Sequence, residues 1–467
     1  MRLASFTFLG VLLAHAAPAA AGPYSDVASA FDDGDKFDIH TEVDYELDVR
    51  RAAIKREFVA LPGLGPDDPI PVVRDLLYSG TRHTLTPRIT LSVFTDLALT
   101  VGLPIVITDK RTMKFDQRAT PCVFPGGSDP ATCVNRDNST TIQDGLLPMN
   151  GYDAKDPTTG FTNPDSAMIF RGVSRWGLDQ LHLGVVWAPM NQARDDTKPT
   201  WKLNAEVRIP VGAVAKVNRD DPDAEAGVGR GLYEVRLSTS VAKRIAWAEP
   251  YFEVWWLAPI GQKGSSPFDD PGFGAKRTPS QQQAGTRFGF EAIAWRRPEQ
   301  QQQVSVDLSA RLQANFAGRA YTEMWEVLAL AGQAGSGGPL VLDSDPVTAG
   351  IQEMSYPGIS NVENYIGFAT RVGVRTELGD KVRFGGSFEL RTDQAHTLTF
   401  ADAGIDKPTC SGGALPPACE SDSNDIVNSN TDEVNPLYDE NIDLVGHRYR
   451  IEEATSYVFL ADVRVLF

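Results

Sequence analysis

The chain has 467 residues, 42% of them hydrophobic and 22% charged, with a formal net charge of −17. That acidity argues against nucleic acid as a partner and against simple electrostatic attachment to anionic lipid. Beyond the amino-terminal leader, no apolar run approaches the roughly 20 residues that a membrane-spanning helix needs, which excludes a helical membrane protein.

In chain order, the first element is a secretory signal over 1–21. Arg2, an apolar run from Phe6 to Ala14, and small Ala19 and Ala21 ahead of Gly22 place the cleavage before Gly22. Loss of Arg2 takes the charge from −17 to −18. No Cys stands near the cut, so a lipid anchor is not indicated. Residues 22–35 form a short periplasmic segment, too short for the plug domain of an energised transporter.

From 36 to 467 the chain alternates apolar with polar or small residues, the period-two pattern of strands between lipid and a wet lumen. Twelve strands are predicted, at 36–49, 81–93, 97–108, 176–187, 200–209, 232–243, 249–258, 286–296, 303–316, 365–378, 382–393 and 447–467. Five connections are short: Phe94 to Asp96, Ala188 to Pro199, Arg244 to Ala248, Arg297 to Gln302, and Gly379 to Lys381. They alternate strictly with six long ones, as periplasmic turns alternate with extracellular loops in an all-β, antiparallel up-and-down transmembrane barrel. Trp187, Trp201, Trp247 and Trp295 lie beside the short turns, where an aromatic girdle belongs, although parity leaves Trp295 ambiguous.

The first strand has one oily and one charged face, the latter carrying Glu42, Asp44, Glu46 and Asp48. Such a row needs counter-charges. Inward parity offers Arg448, Arg450 and Arg464 on the closing strand, Arg371, Arg375, Arg383 and Arg391 on its neighbours, and Arg88 on the second strand. The result is a field across a wet pore or a network filling a narrow barrel. The helix-like stretch 321–333 could constrict the mouth, lie on the membrane or pack on the rim.

The cysteines fall in two long loops, Cys122 with Cys133 and Cys410 with Cys419, and two local disulfides are expected in an exported chain. Neither pair has zinc-ligand spacing, and no metal or cofactor is expected. Residues 422–443 carry seven acids and no Lys or Arg, a solvated loop or a weak divalent-cation surface. Of the mature histidines, His40, His83, His182, His396 and His447, none sits in a nucleophile motif.

The ending YVFLADVRVLF puts Tyr457, Phe459, Val463, Val465 and Phe467 on one face and stops on a ring. It resembles the last strand of bacterial outer-membrane barrels, which the barrel assembly machinery reads. FTDLALTVGLPIVI (94–107) and PTWKLNAEVRIPVG (199–212) resemble strands of the outer-membrane transporter group named for the meta-pathway of phenol degradation. WGLDQLHLGVVW (176–187) is similar to a third segment of that group but lacks its second Gly. In these stretches Pro104 and Pro210 mark strand ends and Gly212 allows a turn. The resemblance implies a monomeric channel in the outer membrane, in contact with lipid and lipopolysaccharide, that passes small solutes passively and takes aromatic or other hydrophobic compounds. The rival readings are an outer-membrane hydrolase and a surface protein acting through its loops.

Overall fold

In a computed structural model of the chain, the described residues are 22, 24–31, 37–58, 69–118, 133–164, 168–269, 279–343, 348–398, 403–404, 435 and 438–467. Twelve antiparallel strands close on themselves: β1 Ile39–Glu57, β2 Val72–Phe94, β3 Leu97–Gly102 with Ile105–Phe115, β4 Arg175–Leu178 with Gln180–Met190, β5 Thr200–Pro210, β6 Leu232–Ala242, β7 Ala248–Gln262, β8 Gln283–Arg297, β9 Gln302–Asn315, β10 Tyr365–Leu378, β11 Val382–Asp393 and β12 Tyr449–Leu466. Each pairs with the next, and β12 returns to β1 with His40 opposite Leu466 and Arg56 opposite Tyr449. The ladder thus closes without an open edge, the condition for crossing hydrocarbon.

The alternation in sequence becomes two faces. Outward stand Val43, Ile89, Leu99, Val185, Leu237, Phe252, Phe288, Phe368, Val372 and Phe459, all exposed. An apolar belt of this extent on a water-soluble surface would be an aggregation liability, and on a barrel it is the lipid face. No described helix is long and apolar enough to cross a membrane.

Several strands are longer than expected; β1 and β2 run on to residue 57 and back from residue 72. Pro104 does not end its strand. It interrupts the ladder, after which β3 resumes and continues to Phe115. Asp179 breaks β4 opposite, and the Asp179 N–H donates to the Pro104 carbonyl at 3.3 Å. Gly212 passes so close to this break that a Cβ there would lie 1.8 Å from the Leu178 carbonyl oxygen, so the close approach requires glycine.

Two bulges re-aim side chains. Between Ile293 and Trp295 the register shifts, and the extra residue turns Trp295 outward at 43% exposure, so that it is exposed as Trp187 and Trp247 are. A second shift lies on β12, where Glu453 has φ 53° and two residues oppose Ala52. Above it the inward residues are Tyr449 and Ile451, both fully buried. Arg448 and Arg450 therefore do not point into the lumen, correcting the parity reading.

The long-loop end is roofed by a true hydrophobic core. Ile54, Leu76 and Met113 of the barrel wall pack with Leu146, Leu147, Phe170, Val327, Leu328, Leu340 and Tyr356 from the loops. At its centre is α1, Trp325–Ala331, with all seven residues buried. Of the places open to the 321–333 stretch, it takes the mouth.

Candidate functional site: a charged lumen with a waist

Inward residues of β1 meet their neighbours rung by rung. At the lowest rung Glu42 lies between Arg88 of β2 and Arg464 of β12 in register, and Arg464 Nη2 donates to Glu42 Oε2 at 2.8 Å. One rung up, Asp44 faces Asp462 rather than a cation. Glu46 lies between Thr84 and Leu460, and Asp48 between Arg82 and Val458. Arg391 reaches Asp48 at 4.0 Å. Of the arginines read as inward on the closing strand, only Arg464 meets the ladder. Arg448 instead pairs with Glu57 at 2.7 Å and Arg450 with Glu452 at 3.1 Å, both beyond the bulge. Arg371 and Arg375 project inward from β10, Arg375 approaching Glu291 at 3.5 Å. Arg383 pairs with Asp26 and lies 3.7 Å from Glu377.

The lumen divides into two polar cavities of about 300 and 330 Å³. The one toward the long loops is lined by Arg50, Arg111, Arg319, Tyr321, Glu323 and Asp393, among others. The one toward the short turns is lined by Asp44, Tyr251, Arg287, Arg371, Asp462 and Arg464, among others. Between them Glu389, 4% exposed, takes three guanidiniums: Arg311 at 2.8 Å, Arg287 at 3.3 Å and Arg391 at 3.3 Å. Asp48 lies 4.0 Å from Arg391 and Glu253 is the cross-strand partner of Arg287, so acids and cations are interleaved at this waist. Arg391 was legible in the sequence; Arg287, Arg311 and Glu389 carried the same inward parity but stand on three different strands that only closure brings together.

Both ends are held by ionic contacts. At the roof, Arg50 bridges Glu323 at 2.7 Å and Asp393 at 2.8 Å. Burial pushes the Glu323 carboxyl up, and the Arg50 guanidinium more than reverses this, leaving it below the usual carboxylate range. Arg175 donates to Glu326 at 2.7 Å and to the carbonyls of Glu225, Gly227 and Lys216, and stacks 4.7 Å over the Trp325 ring.

At the short-turn end the amino-terminal segment lies inside the barrel rather than hanging from it. The Tyr24 ring stacks on Tyr251 at 4.1 Å, and its hydroxyl donates to Glu253 at 3.1 Å. Asp26 pairs with Arg383 and with Arg464 at 3.1 Å. Arg194 Nη2 donates to Ser29 Oγ at 2.7 Å, and the Ala30 N–H to the Phe94 carbonyl at 3.2 Å. A segment this short has no core of its own, so only its partners fix it, and nothing local in the sequence signals them.

Among the described residues no group of acids, His and Cys is arranged to hold a metal ion. Tyr45 meets His83 at 2.7 Å, Glu206 lies 3.7 Å from His182, Tyr365 stacks on His396, and His396 Nδ1 lies 2.9 Å from the Gln394 carbonyl. None of these is a serine–histidine pair. Cys122, Cys410 and Cys419 lie outside the described residues, as does 422–434 of the acidic loop.

No protein-family model matches the chain, and no curated protein matches it. Solved structures do. An outer membrane channel from Pseudomonas putida aligns over 96% of this chain and 99% of its own at 8% identity and a TM-score of 0.39. A FadL homologue from Pseudomonas aeruginosa aligns over 93% and 90% at 8% identity and a TM-score of 0.29. The outer membrane protease OmpT from Escherichia coli aligns over 92% and 98% at 5% identity and a TM-score of 0.28. Similarity at this distance transfers no function, and a channel and a protease stand side by side in it.

Proposed function

We propose that the chain is a passive channel or transporter for small solutes in a bacterial outer membrane, its short turns in the periplasm and its long loops outside. The observation that carries this reading is the pair of polar cavities inside the barrel, one toward each end, with the Glu389 cluster between them. A barrel filled for strength alone would have no reason to keep two chambers of this size lined by arginines and acids. A solute crossing it exchanges water for these groups, and the three guanidiniums gathered on Glu389 offer contacts to an anionic or zwitterionic molecule.

The test is planar-bilayer conductance of the refolded protein together with a Glu389→Gln variant. Removing the waist carboxylate should move the reversal potential in a salt gradient toward anions. A resolved pore whose selectivity is unchanged by this variant would overturn the assignment of the waist, and complete silence would overturn conduction through the lumen.

A second reading concerns aromatic or hydrophobic cargo. It is supported by the resemblance of 94–107 and 199–212 to the transporter group named for phenol degradation, and by the break in the β3–β4 ladder at Pro104 and Asp179. A gap in the hydrogen-bonded wall is where a hydrophobic molecule could leave sideways into lipid. Uptake of a fluorescent aromatic probe by vesicles that show no ionic conductance would favour this route.

A further inference from the structure

Two acids face each other where two acids should not. Glu249 of β7 is directly opposite Glu291 of β8, and both are buried, at 0% and 2% exposure. Like charges in that register repel, and burial magnifies the cost. Arg244 covers Glu249 Oε2 at 2.8 Å, and Arg375 approaches Glu291 Oε2 at 3.5 Å. Glu249 Oε1 has no hydrogen-bond partner although it is fully buried.

Gly22 sits between these carboxylates. Its backbone nitrogen donates to Glu249 Oε2 at 3.1 Å, and Ser25 Oγ donates to the same oxygen at 2.7 Å. A Cβ on residue 22 would lie 2.4 Å from Glu291 Oε2 and 2.5 Å from Glu249 Oε1, so an oxygen of each acid crowds this one residue and a larger side chain would push the carboxylates away. Glycine 22 is also the residue that follows the small-residue pattern ending at Ala21.

We infer that the nitrogen of Gly22 is the mature amino terminus, and that its ammonium is locked between Glu249 and Glu291 inside the barrel. An export-pathway endopeptidase adds water across the Ala21–Gly22 peptide bond; the C–N bond breaks, Ala21 keeps the new carboxylate, and Gly22 leaves with the amine, which is protonated at neutral pH. A peptide N–H has one donor and no charge. The ammonium has three donors and one positive charge, enough to reach the orphan Oε1 as well as Oε2 and to offset the repulsion between the acids. Processing thus adds a cation and two further donors to a buried pair of acids that Arg244 and Arg375 approach from the other side, and it fixes the segment 22–31 in the barrel. This holds whatever crosses the lumen.

The test begins with the wild-type protein purified from outer membranes. Terminal sequencing should read Gly22 first. An α-amine-selective aldehyde should then label this terminus at least tenfold more slowly in the folded barrel than in the same sample unfolded in denaturant. Glu249→Gln with Glu291→Gln should bring the folded rate to within a few-fold of the unfolded one while heat-modifiable gel migration still reports a closed barrel. A different first residue, or equal labelling of folded and unfolded wild type, would overturn the lock, and the wild-type measurements decide the matter even if the double variant does not fold.

Discussion

Asp26 shows how a single charged residue can hold a short segment in place. Burial raises its carboxyl, but the Arg383 and Arg464 guanidiniums reverse this and hold it well below the usual carboxylate range. A depressed carboxyl stabilises above its unfolded value, about 3.9 for Asp, and the contribution fades as pH falls from there through the folded value. Protection of residues 24–31 from added protease should therefore persist unchanged from pH 7 to pH 5 and be lost only in stronger acid. Asp26→Asn should remove about 1.5 to 3 kcal/mol of docking free energy at neutral pH, seen as faster cleavage of the segment with the barrel intact. Arg175 plays the corresponding part in the roof. With both Arg175 and Glu326 at 3% side-chain exposure, Arg175→Ala strands a buried carboxylate and should cost about 3 to 5 kcal/mol in denaturant unfolding.

At the scale of elements, the strands were legible because a barrel wall has one rule, apolar out and polar in, repeated every second residue. The five short turns were legible for the same reason: they are what remains between two clean alternations. The rule fails where the count changes by one. Nothing in Arg448-Tyr449-Arg450 announces the bulge at Glu453, and a single extra residue sends both arginines to the rim and brings Tyr449 inside. Trp295 was ambiguous for the same cause, with the opposite outcome. The closing strand obeys the rule below its bulge. Phe467 is 65% exposed on the lipid side, and its N–H donates to the Ile39 carbonyl at 2.9 Å, at the seam where the barrel shuts. Deleting Phe467 or changing it to Asp should lower the heat-modifiable, folded fraction several-fold in a refolding assay, whereas Leu466→Ala, on the inner face, should leave it nearly unchanged.

For the whole molecule, orientation follows from which end carries the long loops. A peptide tag at Gly350, in the loop between β9 and β10 with open space around it, should be labelled on intact cells, and one at Lys381 in the β10–β11 turn should be labelled only after permeabilisation. Labelling at Lys381 alone would invert the molecule. The roof and the lower plug were the parts least readable from sequence, because their contacts join residues hundreds of positions apart. They also differ in how they are strung. Every roof segment is tied to the wall at both ends, so it can swing but not depart, and freeing it returns little chain entropy. On the proposed cleavage ahead of Gly22, the segment 22–31 would be tied only through β1, and withdrawing it would restore the freedom of some ten residues at about 1 to 2 kcal/mol each. On that proposal the barrel is built like a bottle with a fixed shoulder and a tethered cork, and in the proposed orientation the cork is on the cell's own side.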